Sequence, residues 1–142
     1  MARLYYVAPF ESMESILKHG ILPPIEVNRL IEEGKLPEEV LGISYKGYDT
    51  SHFPEFVSLL RNEDLTKMVA QSICFSRTQR DFDPNFRAIG YIISPEIEKL
   101  PEFVAEKRVK MMNDLCYPGE VLFRGRIEPR FIGEHPFNVR TM

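Results

Sequence analysis

The sequence predicts an α+β domain in which short helices pack on a twisted, mainly antiparallel sheet. Three observations predict it. Short stretches rich in β-branched and aromatic residues recur along the chain, "RLYYV", "EFVSLLR", "SICFS", "AIGYIIS" and "EVLFRG", each of strand length. Around them lie short amphipathic patterns bounded by glycine stops or by Ser and Asn caps. The 142 residues suit a single domain, 1–142, able to bury about two-thirds of the surface its unfolded chain exposes.

In chain order, residues 3–7 form a mostly buried strand that Pro9 ends. "ESMESILKHG" follows as a helix with Met13, Ile16 and Leu17 on one stripe and Gly20 as its C-terminal stop. "IEVNRLIEEG" is a second helix with Val27, Leu30 and Ile31 on one face, ending at Gly34. Residues 35–54, with their glycines, prolines and aspartate, read as an irregular, exposed excursion of the length that binding loops and lids have. Residues 55–61 are a strand, and 62–71 a helix capped by Asn62 with acids in its first turn. Residues 72–76 are a strand, 77–87 a loop, and 88–94 a strand closing on a helix start at Ser94. Residues 105–114 are helical, 120–125 a strand, and 128–134 one helical turn.

Composition bounds the function. With 44% hydrophobic and 27% charged residues the chain reads as an ordinary soluble protein, and its apolar runs fall far short of the roughly 20 residues needed to cross a bilayer. Pro9 and Glu11 interrupt any amino-terminal apolar core, so a cytoplasmic location and reduced thiols at Cys74 and Cys116 are expected. His19, His52 and His135 lack metal-ligand spacing, and no CxxC pair occurs, so no metal is expected. Residues 1–71 carry 7 basic and 11 acidic side chains and residues 72–142 carry 11 and 10, so bulk charge does not advertise nucleic-acid binding.

The chemistry-bearing order is "LYYVAPFESMESILKHGIL", then "ICFSR", then "AIGYIIS", then "GEVLFRGRIEPRFI". On these motifs the chain resembles the ADP-ribosyltransferase superfamily, most specifically the DarT-like DNA ADP-ribosyltransferases and related small phage and prokaryotic proteins. The resemblance implies an ADP-ribosyltransferase-like fold, NAD as substrate without a metal, and a nucleic-acid base such as one in DNA as acceptor. It places Glu120 at the position of the catalytic glutamate, with Tyr6, Ser76 and Arg77 around NAD. Tyr6 stands where the family usually has histidine, and Ala8 and Pro9 also depart from the pattern, removing polar groups that would meet NAD. In this setting a carboxylate on the ribose 2′-hydroxyl stabilises the oxocarbenium-like transition state as nicotinamide leaves. An arginine fork such as Arg77 suits the pyrophosphate, and an aromatic such as Tyr6, Phe75 or Tyr91 suits stacking on a planar ring. The 35–54 excursion would border the acceptor.

Blander readings stand beside these. Glu120 is also readable as an exposed strand acid paired with Arg124, two positions along the same face. Arg77 and Arg80 balance Asp81 and Asp83, and Tyr5 and Tyr6 must face opposite sides of their strand. Lys107, Arg108, Lys110, Arg124, Arg126 and Arg130 form either a phosphate-binding rim or solvated surface diluted by Glu102, Glu106 and Asp114. The rival to enzymatic function is a binding or regulatory module for a protein partner on the same scaffold, without NAD chemistry. A third reading, a nuclease or phosphotransferase, requires His52 or His135 to converge with arginines.

Overall fold

Alternation along four apolar stretches builds the sheet, and one glycine joins the first helix to it. In a computed structural model, residues 3–35, 54–64, 66–68, 87–112, 116 and 118–139 are described. The expected strand at 72–76, Ser76, Arg77, Phe75, Cys74, His52 and residues 36–53 of the excursion lie outside the described residues.

β1 (Leu4–Pro9) passes through a turn at Phe10–Ser12 into α1 (Met13–His19). Ile16 is buried and Met13 packs against the core, whereas Leu17, expected on the same stripe, is 43% exposed. A helix of seven residues buries only a narrow stripe; Met13 and Ile16, three apart, occupy it, and Leu17 is turned out of it. The helix stops at Gly20, whose φ of 88° and ψ of −174° suit only glycine. A Cβ there would lie 2.1 Å from the carbonyl oxygen of Ile127. The close approach allows Ile21 and Ile127 to exchange both backbone hydrogen bonds at 2.9 Å.

α2 (Pro24–Glu32) uses Pro24 in its first turn, where no amide donor is needed. Val27, Leu30 and Ile31 are only half-buried. β2 (Phe56–Leu60) leads to helical residues 63–64 and 66–68, and the Thr66 amide donates to the carbonyl of Asn62 at 2.9 Å, as expected of a helix starting there. β3 (Ala88–Ile93) ends at Ser94, whose Oγ accepts from the Glu96 amide at 3.2 Å and caps the turn Pro95–Lys99. The two-residue β4 (Phe103–Val104), α3 (Glu106–Met112), β5 (Glu120–Arg124), the turn Pro129–Phe131 and β6 (Phe137–Val139) follow.

The sheet has the order β4-β5-β2-β1-β3-β6, and every pairing is antiparallel. β1 pairs with β3 from Leu4↔Ile93 to Pro9↔Ala88, and β2 with β5 from Phe56↔Arg124 to Leu60↔Glu120. Between β1 and β2 the register among the described residues is the single pair Tyr5↔Leu60. The sheet is therefore two zipped ribbons, β4-β5-β2 and β1-β3-β6, joined at one seam.

One face carries the main core: Leu4 and Ala8, Val57 and Leu59, Ile89, Tyr91 and Ile93, and Val121 and Phe123, covered by Ile16, Ile21, Ile97, Ile127, Phe131 and Ile132. The other face is covered at one end by α3, where Val109 packs with Val104 and Leu122. At the other end the Phe137 ring lies over Gly90, within 2.4 Å of where a Cβ would be, and meets Tyr5 edge-on at 6.3 Å. Among the described residues no helix is long and apolar enough to cross a membrane.

Gly20→Ala forces a side chain into a glycine-only region and against the Ile127 carbonyl. It is expected to lower unfolding stability by about 3 kcal/mol, read from the urea midpoint at constant m.

Candidate functional site

The second face of the sheet is apolar where α3 covers it, and the exception is the first residue of β5. Gly119, at a φ of 78°, turns the chain into the strand, and its carbonyl accepts from the Arg61 amide at 3.2 Å. Glu120 then pairs with Leu60, so Glu120, Leu60 and Tyr5 lie in one row across three strands and share a face. Glu120 as a residue is 8% exposed. Ser58, on the same face of β2, donates its hydroxyl to Oε2 of Glu120. Burying a carboxylate is tolerable only with such donors.

This overturns the reading of Glu120 as a surface acid paired with Arg124. Arg124 instead meets Glu55 at 3.3 Å, and Leu122, between Glu120 and Arg124 on their face, is fully buried. Along β2 the burial alternates so that Ser58 is exposed between buried Val57 and Leu59. The face is thus open at Ser58, and the buried carboxylate lies directly behind its hydroxyl.

Arg61, one residue beyond β2, braces this corner. Its Nε donates to Glu106 at 2.7 Å and its Nη2 to Glu98 at 2.5 Å, with the guanidinium 5.8 Å from the Phe103 ring centre. The Glu98 hydrogen bond, chiefly, holds its pKa above the ordinary arginine value against the opposing effect of burial. The end of β2 is so tied to the 95–99 turn and to the first residue of α3. Sequence reasoning passed over Arg61; its signal was a lone cation closing an apolar strand. Ser58 was missed too, and its signal was a polar residue at the outward position of "FVSLL".

Tyr6 is not brought to Glu120. It pairs with Tyr91 and shares the main-core face, with ring centroids 6.4 Å apart at 42°. Burial pushes the Tyr6 phenol up to about 12 and, with Tyr6 nearby, raises Tyr91 as well. The Tyr91 hydroxyl is buried with no hydrogen-bond partner among the described residues. The aromatic residue of β1 that shares the face of Glu120 is Tyr5, 5% exposed. Ser76 and Arg77, the other residues assigned to NAD, lie outside the described residues.

Three arginines of the expected rim, Arg124, Arg126 and Arg130, have acidic or carbonyl partners. Arg130 Nε donates to Glu128 at 3.0 Å and its guanidinium stacks 4.4 Å from Phe131, while Arg126 donates to the His19 carbonyl at 2.9 Å and lies 3.8 Å from Glu128. Cys116 is a free thiol against the Val104–Val109–Leu122 cluster, and His135 is exposed. Among the described residues no group of three or more His, Cys, Asp or Glu side chains is placed to hold a metal ion. Comparison with family models, with curated proteins and with solved structures finds no match to this chain.

Ser58→Ala removes a donor from a buried carboxylate but opens a route for water at an exposed position, so a loss of about 1 kcal/mol in urea unfolding is expected. Alkaline pH tests the other face. Above about pH 10 the unfolded chain releases the phenolic proton that folded Tyr6 keeps until about pH 12, so stability is complete below pH 10 and falls through that window. Urea midpoints across it should fall less steeply in Tyr6→Phe than in the parent.

Proposed function

We propose that the protein is an NAD-dependent ADP-ribosyltransferase-like enzyme in which Glu120 is the catalytic carboxylate and a nucleic-acid base is the acceptor. The observation that carries the reading is the buried Glu120 carboxylate, held by a serine hydroxyl at an open position of an otherwise apolar face. Loss of nicotinamide leaves positive charge on the ribose C1 and ring oxygen. A negative group fixed beside the 2′-hydroxyl, with little water to screen it, stabilises that charge more in the transition state than in bound NAD. Ser58 holds the carboxylate, the Arg61 clasp holds the end of β2 that pairs with Glu120, and Gly119 turns the chain into β5. Ser76 and Arg77 keep the NAD-binding roles that the resemblance implies, Arg77 on the pyrophosphate. Tyr6, also assigned to NAD on the resemblance, lies on the face away from Glu120, so it does not stack on a nicotinamide held at that carboxylate.

That placement favours a second reading, a binding or regulatory module for a protein partner on the same scaffold without NAD turnover. The two readings differ in whether NAD is consumed. Glu120→Gln keeps the side-chain shape and removes the charge. If Glu120 is catalytic, nicotinamide release from NAD falls by about 100-fold or more while circular dichroism stays unchanged. Equal release by both proteins excludes Glu120 as the catalytic group. No nicotinamide release by the parent, together with no rise in Tm at millimolar NAD, selects the binding module.

A further inference from the structure

The outer side of α3 carries charge that no described residue answers. Val109 is buried against Val104 and Leu122 of the sheet. At about 3.6 residues per turn, Lys107 and Met111 then lie on the opposite side of the helix, with Arg108 and Lys110 on its two flanks. Glu106, the one acid of the helix, falls on the inner side, where the Arg61 Nε donates to it at 2.7 Å. The same guanidinium holds Glu98. Arg61 thus draws Glu106 away from the outer face and leaves only cations there. Lys107, Arg108 and Lys110 are exposed, and among the described residues no ion pair or hydrogen bond reaches their side chains. Glu102 is exposed too, but it precedes β4 and lies outside the helix. Between the cations, Met111 is 80% exposed, more than any other large apolar side chain described, and Met112 beside it is 49% exposed.

We infer that the outer face of α3 docks on an anionic lipid surface, with Lys107, Arg108 and Lys110 among the headgroups and Met111 and Met112 at the acyl boundary. Cations beside a lipid surface of opposite charge are attracted within a Debye length, and exposed apolar side chains next to them gain by leaving water for the layer beneath. The choice of lipid over a nucleic-acid strand rests on the rest of the face. A strand bound through its phosphates answers the cations but gives nothing to two exposed thioethers. Binding through stacked bases needs an aromatic platform, and "EKRVKMM" has none. A layer of anionic headgroups over an acyl interior answers both kinds of group at once. The helix is only about 10 Å long, so the contact is small and the docking is weak, reversible and set by the density of anionic lipid. The inference is independent of the chemistry assigned to Glu120.

The test is co-sedimentation of the full chain with vesicles of pure phosphatidylcholine and of equimolar phosphatidylcholine and phosphatidylserine, at low and high salt. The expected result is binding to the mixed vesicles alone, lost as salt screens the headgroups. Each of Lys107→Gln, Arg108→Gln and Lys110→Gln should lower the partition coefficient about five-fold with circular dichroism unchanged, since all three positions are exposed. Met111→Ser should weaken binding and leave its salt dependence as it was. Absence of parent binding to the mixed vesicles at low salt overturns the inference, and so does equal binding by the triple glutamine variant. A mixed-sequence single-stranded oligonucleotide is the competing probe. If it binds the parent and not the triple variant while the mixed vesicles bind neither, the face serves a nucleic-acid backbone and the lipid assignment falls.

Discussion

The candidate site depends on the antiparallel register between β2 and β5. Val57↔Phe123 and Leu59↔Val121 commit one set of residues to the main core, which sends Ser58, Leu60, Glu120 and Leu122 to the other face. A slip of one residue would turn the Glu120 carboxylate into a core built from Leu4, Tyr91 and Ile93 and push Val121 and Phe123 out of it. Each large apolar side chain exposed in that way costs about 1.5–3 kcal/mol. The position of Glu120 is therefore enforced less by its own interactions than by the burial of its two neighbours in sequence. A polar side chain on such a strand is held against any small local preference it has for another orientation.

Register alone leaves the corner free to splay, because the two ribbons meet at Tyr5↔Leu60 only among the described residues. Arg61 follows Leu60 directly, and its bonds to Glu98 and Glu106 bring the 95–99 turn and α3 onto the end of β2. Two carboxylates on one partly buried guanidinium form a network rather than an isolated surface pair, and networks of this kind hold geometry where single exposed pairs do not. The same clasp places α3 so that Val109 covers Leu122, closing the second face up to the edge of Ser58. Packing and charge thus act together at one point, next to the residue whose chemistry is of interest.

Much of the fold was legible because β1, β2, β3 and β5 are apolar runs with clear stops, and Gly20 and Ser94 act where their chemistry says they should. β4 and β6 were not legible: two residues, "FV", carry no period, and "FNV" follows "HP" without a strand signature. Alternation correctly grouped Glu120 with Leu122 and Arg124, yet that face was read as solvated. Only the packing of α3 reveals that Leu122 is buried, and a helix that ends at Met112, before the strand begins at Glu120, gives no sign in sequence of which face it will cover. Likewise "YY" says that one tyrosine faces each side and nothing about which side Glu120 shares. That follows from Tyr5↔Leu60↔Glu120, a long-range pairing that no local pattern encodes.

Two buried polar groups near the middle of the sheet invite a functional explanation, and their surroundings separate them. Phenylalanine at 91 would fill the same space and remove a hydroxyl that has no partner among the described residues, so Tyr91 costs stability for no visible return in packing. It is sealed within the main core, however, and anything reaching it must first displace neighbouring apolar side chains. Leucine at 120 would simply extend the apolar row of Leu60 and Leu122. Glutamate there is compensated by Ser58, and because Ser58 is exposed, the compensated charge lies one side chain from solvent. A charge that the fold can hold at modest cost and that a solute can approach is the arrangement catalysis needs. A sealed, unpaired hydroxyl is not. The proposed chemistry therefore falls on the Glu120 face, and Tyr6 and Tyr91 belong to the packing of the main core.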